Sequence, residues 1–270
     1  VLIASQFTYS PLKAAAEDNE DKDEKPAEKA DEEAVKKAEA EVESEKPAEE
    51  ELPPPEKLED LLSELDTYIG LDVIKEEVRS LINMVQIYKL RREHDLPTTD
   101  MSLHMVFSGN PGTGKTMMAR MMARIYRTLG ILSKGQLVEV DRSGLVAGYV
   151  GQTALKTAKV LEKAMGGVLF IDEAYALAPE NADKDFGQEA IDTVLKAMED
   201  HRDDLVVIVA GYTELMDKFV HSNPGLESRF NRFMFFPDYT VEEMMAIFKM
   251  RCGKGYTLAA DAEPLVRDYI

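Results

Sequence analysis

The sequence predicts an α/β fold built on a five-stranded parallel sheet, and three observations carry that expectation. Short, largely apolar runs recur at residues 103–108, 136–141, 167–171, 205–210 and 233–236. Segments of helical period separate the first four of them. The first run leads straight into Gly109-Asn110-Pro111-Gly112-Thr113-Gly114-Lys115-Thr116, a glycine-rich turn that opens a helix. Apolar strands alternating with helices describe a parallel sheet covered on both faces.

Taken in order, the chain begins with 16 residues that carry no pattern. Residues 17–56 are rich in Glu, Lys, Ala and Pro and end in Pro53-Pro54-Pro55. Too few apolar groups are present there to offset the entropy of ordering, so a disordered linker is expected. A partner-binding acidic tail is the alternative. Leu58, Leu61, Leu62 and Leu65 then repeat at helical spacing. A second helix places Ile74, Val78, Leu81, Ile82 and Val85 on one face and fades through Arg91-Arg92-Glu93-His94 before Pro97. His94 is expected on a solvated surface. After the glycine-rich turn, Met118, Met121, Met122, Ile125 and Leu129 line a helix that Gly130 should stop.

The second strand is followed by a glycine-rich loop from Ser143 to Gly151. It leads into a helix with Leu155, Ala158, Leu161 and Ala164 inward. The third strand runs into Asp172-Glu173, and a helix bearing Ala190, Ile191, Val194, Leu195 and Met198 precedes the fourth. The fifth, Phe233-Met234-Phe235-Phe236, is closed by Pro237. Thr240 and Glu243 then form a capping box for a helix carrying Met244, Met245, Ile247, Phe248 and Cys252.

Composition limits the function classes. The net charge is −19, but residues 17–60 hold 20 Asp and Glu against 7 Lys, which leaves −6 for the rest. So mild an acidity gives no general electrostatic footprint for nucleic acid. The single cysteine, Cys252, excludes an intramolecular disulfide and a cysteine metal cluster, and a buried thiol is its expected state. No window approaches 18 consecutive apolar residues, so no membrane span is expected. Val1-Leu2-Ile3-Ala4 is too short for a signal-peptide core, and the chain opens without Met. A cytoplasmic fragment is the expectation.

The chemistry centres on the glycine-rich turn. Glycines reach backbone angles closed to other residues, so successive N–H groups can curl around a polyphosphate. Lys115 can reach the β- and γ-phosphates, the Thr116 hydroxyl can ligate Mg²⁺, and the following helix adds the positive end of its dipole. A chance turn competes, but eight matched residues between a strand and a helix argue for a nucleoside-triphosphate site. Asp172, at the carboxyl end of a strand, lies where open α/β sheets place ligands and would hold Mg²⁺. Glu173 would orient and polarise the attacking water. Solvated acids at a strand end are the bland alternative. In Gly211-Tyr212-Thr213, Thr213 is the better candidate to touch that water, because its hydroxyl both donates and accepts. Tyr212 stays open, as does simple turn chemistry. Arg229 and Arg232, within Asn223 to Arg232, either serve another molecule's γ-phosphate or cap carbonyls and pair with Glu227. Chemistry alone does not choose.

Gly109 to Thr116, Asp172-Glu173 and Asn223 to Arg232, in this order and spacing, resemble an AAA+ ATPase. Gly148-Tyr149-Val150-Gly151-Gln152-Thr153 and Val209-Ala210-Gly211-Tyr212 resemble the branch containing stage V sporulation protein K and red-type rubisco activase. The likeness runs from about Leu58 to Ile270. It implies a P-loop domain over 57–238 after a linker over 1–56. Residues 239–270 would begin a small helical lid that is cut short before the arginine of its second segment. It implies a homo-hexameric ring with ATP and Mg²⁺ bound between protomers. Arg229 falls on the finger position acting in trans, with Arg232 as a second arginine. Ile69 and Gly70 border the adenine, and Asn110, Pro111, Gly112, Thr113, Gly114, Lys115, Thr116 and Met117 hold the phosphates. Tyr149, with Val150, falls on the central pore loop that grips a polypeptide. An aromatic packed under a mobile loop is the alternative for Tyr149.

The resulting expectation is an ATP-driven motor that remodels a protein client, hydrolysing ATP to ADP and phosphate. Two other classes compete. One is a nucleic-acid machine, against which the body's acidity and the pore tyrosine count. The other is a nucleotide-gated scaffold with little turnover, against which Glu173 counts.

Overall fold

The computed structural model describes residues 53–98, 101–149, 151–179, 186–253, 255–256, 258–259 and 261–270. The expected linker therefore lies outside the described residues except for 53–56. Two helices, α1 (Leu58–Thr67) and α2 (Asp72–Glu93), precede the first strand, β1 (Met105–Gly109). Then follow α3 (Lys115–Thr128), β2 (Leu137–Val140), the one-turn α4 (Arg142–Leu145), α5 (Thr153–Ala164) and β3 (Val168–Ile171). A 3₁₀ turn over Ala174–Leu177 leads to α6 (Gly187–Asp200), β4 (Val206–Gly211), α7 (Thr213–His221), α8 (Pro224–Arg229) and β5 (Phe233–Phe236). The described chain closes with α9 (Val241–Cys252) and α10 (Glu263–Tyr269). Among the described residues no helix is long and apolar enough to cross a membrane.

All five strands are parallel, in the order β2-β3-β4-β1-β5. β1 thus sits between strands that come much later in sequence, with Phe107 level with Ala210 on one side and Met234 on the other. Successive side chains of a strand point to opposite faces, and that alternation divides the core in two. On one face Phe107, Phe170, Ile208 and Phe236 pack with Ile74, Met118, Met122 and Tyr126. On the other, Val106, Leu169, Val207 and Val209 pack with Leu161, Ile191, Phe219 and Leu226. β1, β3 and β4 are buried throughout, as strands covered on both faces must be.

Several expectations are corrected. β5 is an edge strand that alternates: Met234 and Phe236 are buried, while Phe233 and Phe235 are 51% and 55% exposed. α5 buries Thr153, Thr157, Leu161 and Ala164, while Leu155 is 66% exposed and Ala158 is exposed as well. The inward stripe contains two threonines because each hydroxyl finds a backbone partner. Thr157 Oγ1 donates to Leu145 O at 3.2 Å, and Thr153 Oγ1 accepts from Ala147 N at 3.0 Å. The glycine-rich loop begins with α4, whose N-cap Asp141 accepts from Gly144 N. α7 is missing from the sequence-based element order altogether. In α9 only Met245 is buried, and Cys252 is half-buried rather than buried. The capping box of Thr240 and Glu243 is formed, and His94 is exposed.

The alternation in β5 gives a paired test. Phe107→Ala removes a fully buried ring that packs on Phe236 with centroids 4.9 Å apart, and should cost about 3–5 kcal/mol. Phe235→Ala, on the outer face of the same sheet, should change stability by less than about 1 kcal/mol. Denaturant titrations of the two variants check both values.

Candidate active site

The glycine-rich turn leaves β1, an interior strand beside the edge strand β5. Gly109, the last residue of β1, has φ +147°, and a Cβ added there would meet Phe236 O at 2.3 Å. No side chain fits between these backbones. Gly114, with φ +95°, is the N-cap of α3 and delivers the first turn of that helix to the loop. Its unpaired N–H groups and positive dipole end suit an anion. Lys115 opens α3, is buried, and donates from Nζ to Gly109 O at 2.9 Å and Asn110 O at 2.7 Å. Burial holds its ammonium below the ordinary lysine range, and the Asp172 charge partly opposes that shift.

Two carboxylates face the loop across a cleft of about 310 Å³. Asp172 extends the β2–β3 pairing, its N–H donating to Val140 O at 2.8 Å. Glu173 follows with φ +49° and ψ +41°, the left-handed conformation. That geometry costs a non-glycine residue about 1–2 kcal/mol, and such strain collects at functional sites. Glu173 N donates back to Asp172 Oδ1 at 3.0 Å, which supports the turn. Thr116 and Asp172 line this cleft together and supply hard oxygen donors of the kind Mg²⁺ takes beside nucleotide phosphates. Pro111, Gly112 and Met117 line it as well.

The fourth wall comes from the end of β4. Gly211 and Tyr212 line the cleft, whereas Thr213, the residue favoured on hydroxyl chemistry, is the exposed first residue of α7 and is not part of the lining. The helix turns it away, and Tyr212 takes the place. Tyr175 lies behind this wall: a Cβ on Gly211 would come within 2.7 Å of its ring, and its centroid is 6.2 Å from that of Tyr212. Burial, then the neighbouring Glu173 carboxylate, push the Tyr175 hydroxyl up to about 12.

Asn110 and Thr113 frame the loop rather than line the cleft. Thr113 Oγ1 donates to Asn110 O at 2.8 Å, and Asn110 Nδ2 donates to both carboxylate oxygens of Asp238 at 2.9 and 2.8 Å. Ile69 is half-buried, and Gly70 and Leu71 both lie in the left-handed region. Leu71 and Tyr239 converge beside Gly114, with Leu71 Cδ1 3.5 Å and Tyr239 Oη 3.2 Å from where its Cβ would be. Tyr175, Leu71, Asp238 and Tyr239 were not legible as site residues from the sequence. The available signal was that Asp238 and Tyr239 follow the last strand.

Other residues lie away from the cleft. Arg229 ends α8, donating to Gly225 O at 3.3 Å and Glu199 Oε2 at 3.2 Å, so its carboxylate partner is not Glu227. Arg232 Nε donates to Ser102 O at 3.4 Å, and its backbone O accepts from Val106 N at 2.8 Å, at the amino end of the strands. Tyr149 stands on the loop between α4 and α5 and is 74% exposed, which rules out a ring packed beneath that loop. Val150 lies outside the described residues.

Comparison with known proteins follows the same lines. The family model "ATPase family associated with various cellular activities (AAA)" matches residues 105–238. Stage V sporulation protein K of Bacillus subtilis (strain 168) is 42% identical over 214 residues, covering 79% of this chain and 66% of that protein. The chloroplastic ribulose bisphosphate carboxylase/oxygenase activase of Cyanidioschyzon merolae is 46% identical over 216 residues, covering 79% and 74%. Protein CfxQ of Xanthobacter flavus is 48% identical over 214 residues, covering 78% and 67%. Among solved structures, a chain of the E. coli MS115-1 HORMA:CdnC:Trip13 complex superposes with a TM-score of 0.52 at 16% identity, covering 77% of this chain and 76% of that one. That likeness speaks to the fold.

The strained Glu173 backbone yields a prediction. Glycine adopts the left-handed conformation freely, so Glu173→Gly should leave the melting temperature unchanged or raise it, by the equivalent of up to about 1 kcal/mol. A thermal melt that falls by several degrees would show that the glutamate is kept for stability.

Proposed function

Because this chain belongs to the AAA ATPase family, we propose that it hydrolyses ATP to ADP and phosphate and uses the cycle to remodel a protein client. The observation that carries the reading is the convergence on one cleft of the Gly109–Thr116 loop, the α3 N-terminus, Lys115, Asp172 and the strained Glu173. Ile69 and Gly70 border the adenine, and Asn110 to Met117 hold the phosphates. Lys115 exchanges its bonds to Gly109 O and Asn110 O for oxygens of the β- and γ-phosphates. Thr116 and Asp172 would hold Mg²⁺, which would supply charge neutralisation for the phosphates. Glu173 orients a water and accepts its proton as the water oxygen attacks the γ-phosphorus. The bond from that phosphorus to the β–γ bridging oxygen breaks, and the electron pair leaves with ADP. Tyr212 or Thr213 contacts the γ-phosphate side of the cleft, with Tyr212 favoured by its position in the lining.

Arg229 and Arg232 are assigned to a neighbouring subunit's nucleotide. Neither lines its own cleft, and Arg232 stands at the amino end of the strands whose carboxyl ends form that cleft. A head-to-tail ring, a homo-hexamer in this reading, brings one end of a protomer to the other end of the next. Such an arginine stabilises charge developing in the transition state. Exposed Tyr149, with Val150 beside it, grips the client polypeptide. Residues 57–238 form the nucleotide-binding domain of this motor, 239–270 belong to its lid, and 1–56 are a linker. The setting is cytoplasmic, in keeping with a lone cysteine. One relative is named as an activase of ribulose bisphosphate carboxylase/oxygenase, and that name supports a folded protein as the class of client.

Two experiments test the reading. Arg229→Ala and Glu173→Gln subunits should each turn over slowly, yet a co-assembled mixture should regain activity at interfaces pairing an intact Glu173 with an intact Arg229. A mixture as inactive as either parent would falsify the trans assignment. Separately, Tyr149→Ala should hold basal ATP turnover within a few-fold, a barrier change of about 1 kcal/mol or less. Client-stimulated turnover should fall much further. Equal losses in both assays would remove the client-gripping role.

A further inference from the structure

Lys75 is a charged residue in a core position: it is 9% exposed and sits among the buried residues of α2 beside Ile74 and Val78. A buried ammonium must be satisfied, and its close partner is one backbone carbonyl. Nζ donates to Tyr68 O at 2.6 Å, while the exposed Asp72 carboxylate stands 3.5 Å away. The backbone N–H of Lys75 donates to Leu71 O at 2.9 Å, so this one residue brackets the turn over residues 68–71. The start of the turn is anchored too, since Tyr68 N donates to Leu65 O at 3.2 Å and its hydroxyl to Glu64 Oε1 at 3.1 Å. Between the anchors Gly70 and Leu71 are both left-handed, with φ +65° and +59°, and Leu71 Cδ1 reaches the phosphate loop beside Gly114. A trans peptide points its N–H opposite its C=O. The bond that draws Tyr68 O to the ammonium therefore turns the Ile69 N–H the other way, and that N–H has no acceptor among the described residues. Ile69 is half-buried, where an unpaired donor calls for a partner.

We propose that Lys75 is a positioning residue that sets base specificity: its hold on the Tyr68 carbonyl keeps the Ile69 N–H turned outward, to donate to N1 of adenine. The inference rests on the reading of Ile69 and Gly70 as the border of the adenine. Adenine carries a lone pair at N1, whereas guanine and hypoxanthine carry a hydrogen there. A fixed N–H donor bonds the first and opposes the other two, and an opposed pair leaves both groups unsatisfied. Without the ammonium, the peptide between Tyr68 and Ile69 can rotate and offer its carbonyl, the acceptor that hypoxanthine requires. The backbone reads the base, and the lysine decides which of its two polar groups does so. Lys75 is not part of the lining of the phosphate cleft, so contacts to the phosphates are the same whatever the base.

Calorimetry on the full chain with MgADP, MgIDP and magnesium pyrophosphate separates the base from the phosphates, because IDP differs from ADP only at C6 and N1 of the purine. The wild-type chain should prefer MgADP to MgIDP by at least about tenfold, the scale of one or two hydrogen bonds. Lys75→Met keeps a long stem and removes the ammonium. It should bring that preference to within about threefold while pyrophosphate affinity stays within about twofold. Lys75→Gln, with a neutral donor on a shorter stem, should fall between the two, so either substitution alone decides the question. A lysine that merely caps α1 predicts a different pattern. The melting temperature would fall, MgADP and MgIDP would weaken in parallel, and their ratio would not move. That pattern, or a wild-type chain that binds MgADP and MgIDP equally, overturns the inference and leaves the phosphate site standing. A chain that binds none of the three ligands removes the nucleotide reading beneath it.

Discussion

The contact on which the rest of the site depends is the close approach of Gly109 to the Phe236 carbonyl. A methyl group there would lie 2.3 Å from the oxygen, so the two backbones meet with nothing between them. β1 can then end inside the sheet, flanked by β4 and the edge strand β5, and turn directly into α3. Ligands of open α/β sheets bind at the carboxyl ends of strands where neighbouring connections diverge, and this strand order creates such a place beside β1. Asp172 and Glu173 arrive at the end of β3, and Gly211 and Tyr212 at the end of β4. The cleft is assembled by strand order before any side chain is considered.

Within the cleft the charged groups are held in states that nucleotide chemistry can draw on. Lys115 is buried, so its ammonium must be satisfied, and two carbonyls of its own loop do this at ordinary hydrogen-bond distances. Glu173 is different. Its left-handed backbone is tolerated only because the surroundings over-determine it: Asp172 Oδ1 takes its N–H, and its carbonyl accepts from Ala176 N at 2.8 Å within the 3₁₀ turn. Its exposed carboxylate lines the cleft, with the Tyr175 hydroxyl beside it.

The opposite rim shows the same logic with different parts. Arg229 is fixed by Gly225 O and Glu199, and Arg232 by Ser102 O, so neither guanidinium is loose even though neither reaches the chain's own cleft. His104 stabilises the ground beneath them. Its ring is buried, accepts from Val207 N at 3.0 Å and lies edge-on to Phe230. Burial, with the Arg229 charge beside it, pushes its pKa down to about 4, so it stays neutral and adds no repulsion at neutral pH.

The sequence by itself determined the parts of this protein that depend on local stereochemistry and periodicity. The strands β1, β3 and β4, the α3 face and the glycine-rich turn were legible because their signals lie within a few consecutive residues. The acidic pair at the end of β3 was legible for the same reason. Long-range placement decided the rest. The exposure of Phe233 and Phe235 follows from β5 lying at the sheet edge, which no single strand sequence encodes. α5 buries threonines rather than Leu155 because Leu145 and Ala147 offer backbone partners across a turn. Tyr212 replaced Thr213 in the cleft because a helix begins at that residue. Asp238 and Tyr239 joined the loop only because β5 pairs with β1, which brings residues more than 120 positions apart within hydrogen-bonding reach. Contacts of that kind arise from strand pairing, and pairing is settled by the burial of the whole sheet.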